Sequence, residues 1–247
     1  MTDAATKPDR DAIVEALMAL AAERPWDDIE LGDIVEKAGI TLAAFRAAFP
    51  SKGAVLAAFA RKIDMEVLDG TTEELADEPA RERLFDVYMR RIDALAPYKT
   101  ALKRINFAVR RDPMTLAALN RVALNSQRFM LAAAGIPTED SLGPVRIQGA
   151  VLVFANVMET WYDDDSPELA RTMARLDREL KRGERTMERV GDAERMLAPV
   201  RALADALLDG GRRLRRDGLR GRRRRGTDDE APPAGAAGEM EDPAAAI

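Results

Sequence analysis

The 247-residue chain contains no cysteine and no histidine, and only 5% of its residues are aromatic. The lack of cysteine excludes a disulfide framework and any thiolate metal site. The lack of histidine removes the commonest general base and the commonest metal ligand. Most hydrolytic and metal-assisted chemistries thereby lose their usual residues, and the expectation is a protein that is not an enzyme and needs neither cofactor nor metal. No stretch approaches the roughly 20 uninterrupted apolar residues of a membrane span. The opening MTDAATKPDRD lacks the apolar segment of a signal peptide, so a soluble, cytoplasmic protein is expected. An excess of positive charge is missing too. With a net charge of −5, the chain as a whole does not attract nucleic acid, and any DNA binding must come from a local basic surface or from dimeric geometry.

What is present is apolar residue in helical rhythm. Hydrophobic residues make up 47% of the chain, enough for a buried core at this length. They recur at three and four positions rather than two, with much alanine and no convincing strand. The fold class is all-α. Ile13, Leu17 and Leu20 form one stripe of a first helix that starts near Asp9 and stops before Pro25, because proline disfavours helix in the residue ahead of it. Trp26 follows as a plug beneath that stripe. A second helix, Leu31 to Ala38, turns Ile34 and Val35 inward, and Gly39 supplies the left-handed cap. Thr41 is placed to N-cap a third helix, Leu42 to Ala48. Pro50 and Ser51 close it and open a fourth, which carries Val55, Leu56, Phe59 and Ile63. Two short helices separated by a glycine turn read as a helix-turn-helix over about Leu31 to Pro50.

Three regions follow from the shifts in composition: 1–70, a helix-turn-helix region; 71–210, a larger helical region; and 211–247, an arginine-rich and then Ala/Pro/acidic tail. After the acidic linker Gly70 to Pro79, the segments RERLFDVYMRRIDALAP, YKTALKRINFAVRRD and PMTLAALNRVALNSQRFMLAAAG read as three amphipathic helices. Val145 to Trp161 is the most apolar segment and reads as a central helix buried nearly all round. Ser166 and Pro167 look like the N-cap and first residue of the charged helix ELARTMARLDRELKRGER. A further helix, Ala193 to Leu208, carries Met196, Leu197, Val200, Leu203 and Leu207 on one face, which suits docking on the bundle or a partner and also a membrane surface. The tail has no apolar periodicity and is expected to be disordered beyond about Gly210.

The string IVEALMALAAERPWDDIELGDIVEKAGITLAAFRAAFPSKGAVLAAFARKID resembles the N-terminal domain of the TetR/AcrR family of transcriptional regulators. The order is the same: a first helix, an aromatic before an acidic turn, IVEKAGIT, then F-P-S-K with Phe49 and Lys52 in step. The resemblance implies a TetR-like fold and a homodimer joined through the last long helices of the second region. It also implies third helices that enter successive major grooves and a ligand-responsive repressor of double-stranded DNA. The DNA-facing candidates are Thr41, Leu42, Ala43, Ala44, Arg46, Ala47, Ser51 and Lys52. Thr41 and Ser51 stand at helix N-termini and Lys52 adds a charge there, all suited to phosphates. Arg46 falls where the family commonly has a tyrosine and can reach a phosphate or a guanine edge. Ala43, Ala44, Ala47 and Ala48 replace polar readers and offer only methyl groups, for instance to thymine.

The resemblance also implies an apolar or amphipathic effector in the second region. Phe85, Tyr88, Met89, Phe107, Phe129, Met130, Phe154, Met158 and Trp161 are the candidates to line its pocket, since Met and aromatics shape adaptable cavities; such a set is more often mainly core. Asp163, Asp164 and Asp165 form a carboxylate run that suits either a hard cation or a solvated helix end. The segments ERLFDVYMRRIDALAPYKTAL and ETWYDDDSPELARTMARLDREL are similar to the TetR-fold accessory proteins of coenzyme Q biosynthesis, which hold a lipid. That likeness supplies the alternative reading, a lipid-binding accessory protein with membrane contact.

Overall fold

A computed structural model describes residues 10–70, 75, 77–166 and 168–190. All described residues lie within one compact unit. The expected helix from Ala193 to Leu208, the arginine run and the acidic tail all lie outside the described residues.

All described secondary structure is helical. Helix α1 spans Arg10–Glu23 and buries Ile13, Leu17 and Leu20, the stripe read from the sequence. Its end falls just ahead of Pro25, and a 3-10 turn at Trp26–Asp28 tucks the indole of Trp26 into the core. Helix α2 is Leu31–Ala38. Gly39 follows at φ 66°, ψ 33°, a left-handed conformation that a Cβ would strain. Helix α3, Leu42–Ala48, is N-capped by Thr41, whose Oγ1 accepts from the Ala44 N–H at 3.1 Å. Helix α4, Lys52–Asp69, is capped in the same way by Ser51, whose Oγ accepts from Ala54 at 3.2 Å. Its buried face is Val55, Leu56, Phe59, Ile63, Asp64 and Val67. The bend between α3 and α4 is 56°, so α4 leaves the helix-turn-helix and enters the rest of the molecule.

Helices α5 (Ala80–Leu95), α6 (Lys99–Val109), α7 (Pro113–Ala133) and α8 (Gly143–Trp161) follow, and a ninth described helix, α9, runs over 170–190. Asp112 N-caps α7 by accepting from the Met114 N–H at 3.0 Å, and Pro113 at the first position loses nothing, because its missing N–H would have gone unpaired anyway. At the start of α8 the chain passes so close to the preceding loop that a Cβ on Gly143 would lie 1.9 Å from the Thr138 carbonyl oxygen.

Two sequence expectations are corrected here. Helix α8 is not buried all round: Ile147, Ala150, Val157, Met158 and Trp161 face the core, while Val145 is 47% and Leu152 is 59% exposed. Their spacing of seven puts both on one open stripe of the single chain. The helix after the aspartate run opens at residue 170 rather than at 167. Ser166 still caps it, its Oγ accepting from the Ala170 N–H at 3.2 Å. The deeper anchor is Asp164, which is buried and accepts from the N–H and hydroxyl of Thr172 at 2.8 and 2.7 Å and from the Ser166 hydroxyl at 2.7 Å.

Candidate nucleic-acid interface and effector region

Helix α3 is held from behind and bare in front. Phe45 and Phe49 are buried, their ring centroids 6.2 Å apart, and fix the inner face of the helix. Arg10 secures its end: the guanidinium lies 4.1 Å above the Phe49 ring and donates to the Ala48 carbonyl at 2.6 Å. A contact spanning 38 residues has no signature in the sequence, so this positioning role for Arg10 was not legible there. The outer face consists of Thr41, Leu42, Ala43, Arg46 and Ala47, all exposed, with Ala44 half-buried beside them. Among the described residues Arg46 has no hydrogen-bond or ion-pair partner. Other cations of this region are engaged, Arg24 with Asp33 at 2.9 Å and Lys37 with Glu23 at 3.0 Å.

Ser51 and Lys52 differ from one another. The Ser51 hydroxyl is exposed beside the N-terminus of α4. The Lys52 ammonium instead folds back, donating to the carbonyls of Trp26 at 2.7 Å and Ile29 at 2.9 Å while lying 4.1 Å above the Trp26 ring. Burial pushes its pKa below the ordinary lysine value. The structure thus directs this charge at the turn before α2 and not at the outer surface of α3.

Helix α4 is tied through its middle to α1 and to the larger helical region. Lys62 and Tyr98 both donate to Glu15, at 2.6 and 2.8 Å, and the Tyr98 ring meets Phe59 edge-on at 4.8 Å. Deeper in, the Arg91 guanidinium of α5 donates to Asp64 of α4, which also accepts from Ser126 of α7 at 2.6 Å. All three side chains are buried. Beside them the Tyr88 hydroxyl donates to Gln127 at 2.6 Å, and burial pushes that phenol well above its ordinary pKa.

Of the nine apolar residues expected to line an effector pocket, the two clefts described below take in Tyr88 and Phe129. Met130, Met158 and Trp161 lie in the core, and Phe85, Met89 and Phe154 pack half-buried against it. Phe107 is exposed, with the Arg111 guanidinium 3.9 Å above its ring. A cleft of about 510 Å³ opens between α5, α8 and α9, and Tyr88 is the member of the nine that lines it, alongside Leu84, Leu131, Val153 and Leu180. A second cleft of about 540 Å³ lies between α4 and α7, and there the member is Phe129. The aspartate run is also accounted for. Asp163 pairs with Lys103 at 2.6 Å and Asp165 with Lys99 at 3.2 Å, and no cluster of metal-ligating side chains exists among the described residues. No single helix among them is long and apolar enough to cross a membrane.

The described residues have a TetR-like all-α fold, a capped helix-turn-helix followed by a larger helical region, and solved structures share it. The chain is similar to a TetR transcriptional regulator from Nitrosomonas europaea, with 22% identity, 71% of this chain and 97% of that one covered, and a TM-score of 0.58. It is also similar to a TetR transcriptional regulator from Rhodococcus sp. RHA1, with 17% identity, coverage of 70% and 94%, and a TM-score of 0.54. No protein-family model and no curated protein matches the chain.

Proposed function

We propose that this protein is a cytoplasmic DNA-binding transcriptional regulator, a ligand-responsive repressor acting as a homodimer and carrying out no catalysis. One observation carries the reading: α3 presents an exposed face with an unpartnered Arg46, while buried Phe45 and Phe49 and the Thr41 cap hold that face rigid. A rigid short helix with a free guanidinium at its outer edge suits the major groove, where arginine takes a guanine edge in bidentate fashion or grips a phosphate. Thr41 and Ser51 stand at helix N-termini, where hydroxyl and backbone N–H groups favour phosphate oxygens. Leu42, Ala43 and Ala47 supply apolar contacts of the kind thymine methyls accept. Lys52 is left out of this set, since its ammonium is engaged by two carbonyls.

Dimerisation through α8 and α9 is supported by the open apolar stripe of Val145 and Leu152 on α8. Gly149, between them in the same stripe, has open space around it and allows close approach of a second helix. Two α3 helices related by a two-fold axis would meet half-sites one helical turn apart, about 34 Å. An effector acts only by favouring one placement of the two α3 helices over another. The ties from α4 to α5, to Tyr98 and to α7 give the larger helical region a direct hold on the helix that follows α3.

The test is selection of genomic fragments by the purified protein at physiological salt, followed by quantitative binding to the selected duplex. A palindromic site bound in the nanomolar range is expected. Arg46→Ala should weaken it by roughly 5- to 150-fold, the worth of one good base contact at about 1–3 kcal/mol. Binding that never exceeds the nonspecific level of about 10⁻⁴ to 10⁻⁶ M would overturn the proposal.

A further inference from the structure

The cleft between α4 and α7 brings exposed apolar side chains next to two arginines. On its α4 side, Arg61, Met65 and Leu68 follow one another at helical spacing, and on its α7 side stand Arg121 and Phe129. Met65 is 49% exposed and Phe129 46% exposed, both among the large apolar side chains that the described residues leave open to water. Arg61 and Arg121 have no ion-pair or hydrogen-bond partner among the described residues, while most described arginines of the larger helical region are paired. The cleft volume of about 540 Å³ lies within the range of small-molecule sites.

We propose that this cleft binds an amphipathic carboxylate, its hydrocarbon part against Met65, Leu68 and Phe129 and its head group on Arg61 and Arg121. The charge argument selects the ligand class. Two unpaired guanidiniums beside apolar walls stabilise an anion through charge-assisted hydrogen bonds, which a neutral lipid of the same length does not form. The nearby carboxylate of Asp64 does not oppose this, because Arg91 and Ser126 already take it up. A molecule wedged here touches α4, the helix that continues from the Ser51 cap beside α3. The proposal therefore deepens the effector-responsive reading above and, in that regulatory sense, rests on it.

Binding itself is measured without DNA, so that the two readings fail separately. Isothermal titration calorimetry of the full chain with decanoate, and with 1-decanol as its neutral counterpart, is the experiment. Decanoate is expected to bind at least about tenfold more tightly than 1-decanol, the scale of one charge-assisted contact. Arg61→Gln combined with Arg121→Gln should erase that preference, and Phe129→Asn should weaken both compounds. All three positions are exposed, so the variants keep the fold. Equal binding of the two compounds, no binding of decanoate, or a preference that survives in the double variant would each overturn the assignment. A decanoate effect on operator affinity that disappears in the double variant would extend the site to regulation, whereas decanoate binding with operator affinity unchanged would confirm the site and remove its regulatory role.

Discussion

Replacing Arg91 offers a direct test of how α4 is held. The Arg91 guanidinium, the Asp64 carboxylate and the Ser126 hydroxyl are buried together where α4, α5 and α7 meet, and Arg91 also lies 5.3 Å from the Phe154 ring. Arg91→Met removes one partner and leaves the Asp64 charge in a low-dielectric site with a single neutral hydrogen bond. The cost of such an uncompensated buried charge is about 3–5 kcal/mol. For a protein of this size each kcal/mol lowers the melting temperature by about 2–4 °C, so a fall of roughly 6–20 °C is expected. Adding Asp64→Leu removes the stranded charge. The Ser126 hydroxyl can then turn to a carbonyl of its own helix, and the double variant should recover to within about 1.5 kcal/mol of the parent, as replaced buried pairs often do. Urea unfolding at one fixed protein concentration reads Arg91→Met, Asp64→Leu alone and the double variant, with an unchanged slope required for comparison. Additive costs, with the double variant as unstable as the sum of the singles, would refute the idea that the pair acts as a unit at this junction.

Two further outcomes follow from local geometry. Gly143→Ala should destabilise the chain by about 1–3 kcal/mol, as overpacking does, because the added methyl collides with a backbone carbonyl rather than with a side chain that could move; thermal melts indistinguishable from the parent would show the loop to be yielding. Asp164, held below its ordinary value of 3.8 by the Ser166 hydroxyl, and by Thr172 once burial is overcome, carries a pH signature. A carboxyl whose folded pKa is depressed contributes stability above its unfolded pKa and loses it as pH falls toward the folded value. The stability difference between the parent and Asp164→Asn should therefore be constant from neutral pH to about 5 and shrink below about 4. A difference that stays constant down to pH 2 would remove the carboxylate from that role.

The helix-turn-helix was legible in the sequence because its signals are local. Apolar spacing in α1, Gly39 after α2, and Thr41 and Ser51 ahead of α3 and α4 each act within one turn of chain, and each sits where the reading put it. The resemblance to TetR regulators rested on the same span and agrees with the fold. The coenzyme Q likeness drew on two segments, in the same order, that also serve as ordinary amphipathic helices, and nothing in the structural likeness favours it.

What the sequence alone determined is therefore the succession of helices and where most of them begin and end, since caps, prolines and period are properties of neighbouring residues. Tertiary structure decided which charges remain free. Lys52 and Arg46 are six residues apart, yet the first is drawn to carbonyls more than twenty residues away and the second is left in the open. It also decided which apolar residues meet. The nine Met and aromatic side chains project from different sides of α5 to α8, and only the packing of those helices sends some into the core and others to separate clefts. The open stripe of α8 and the anchoring of α9 by Asp164 belong to the same category. In each case the outcome depends on the angle and distance at which whole helices cross, which no short window of sequence contains.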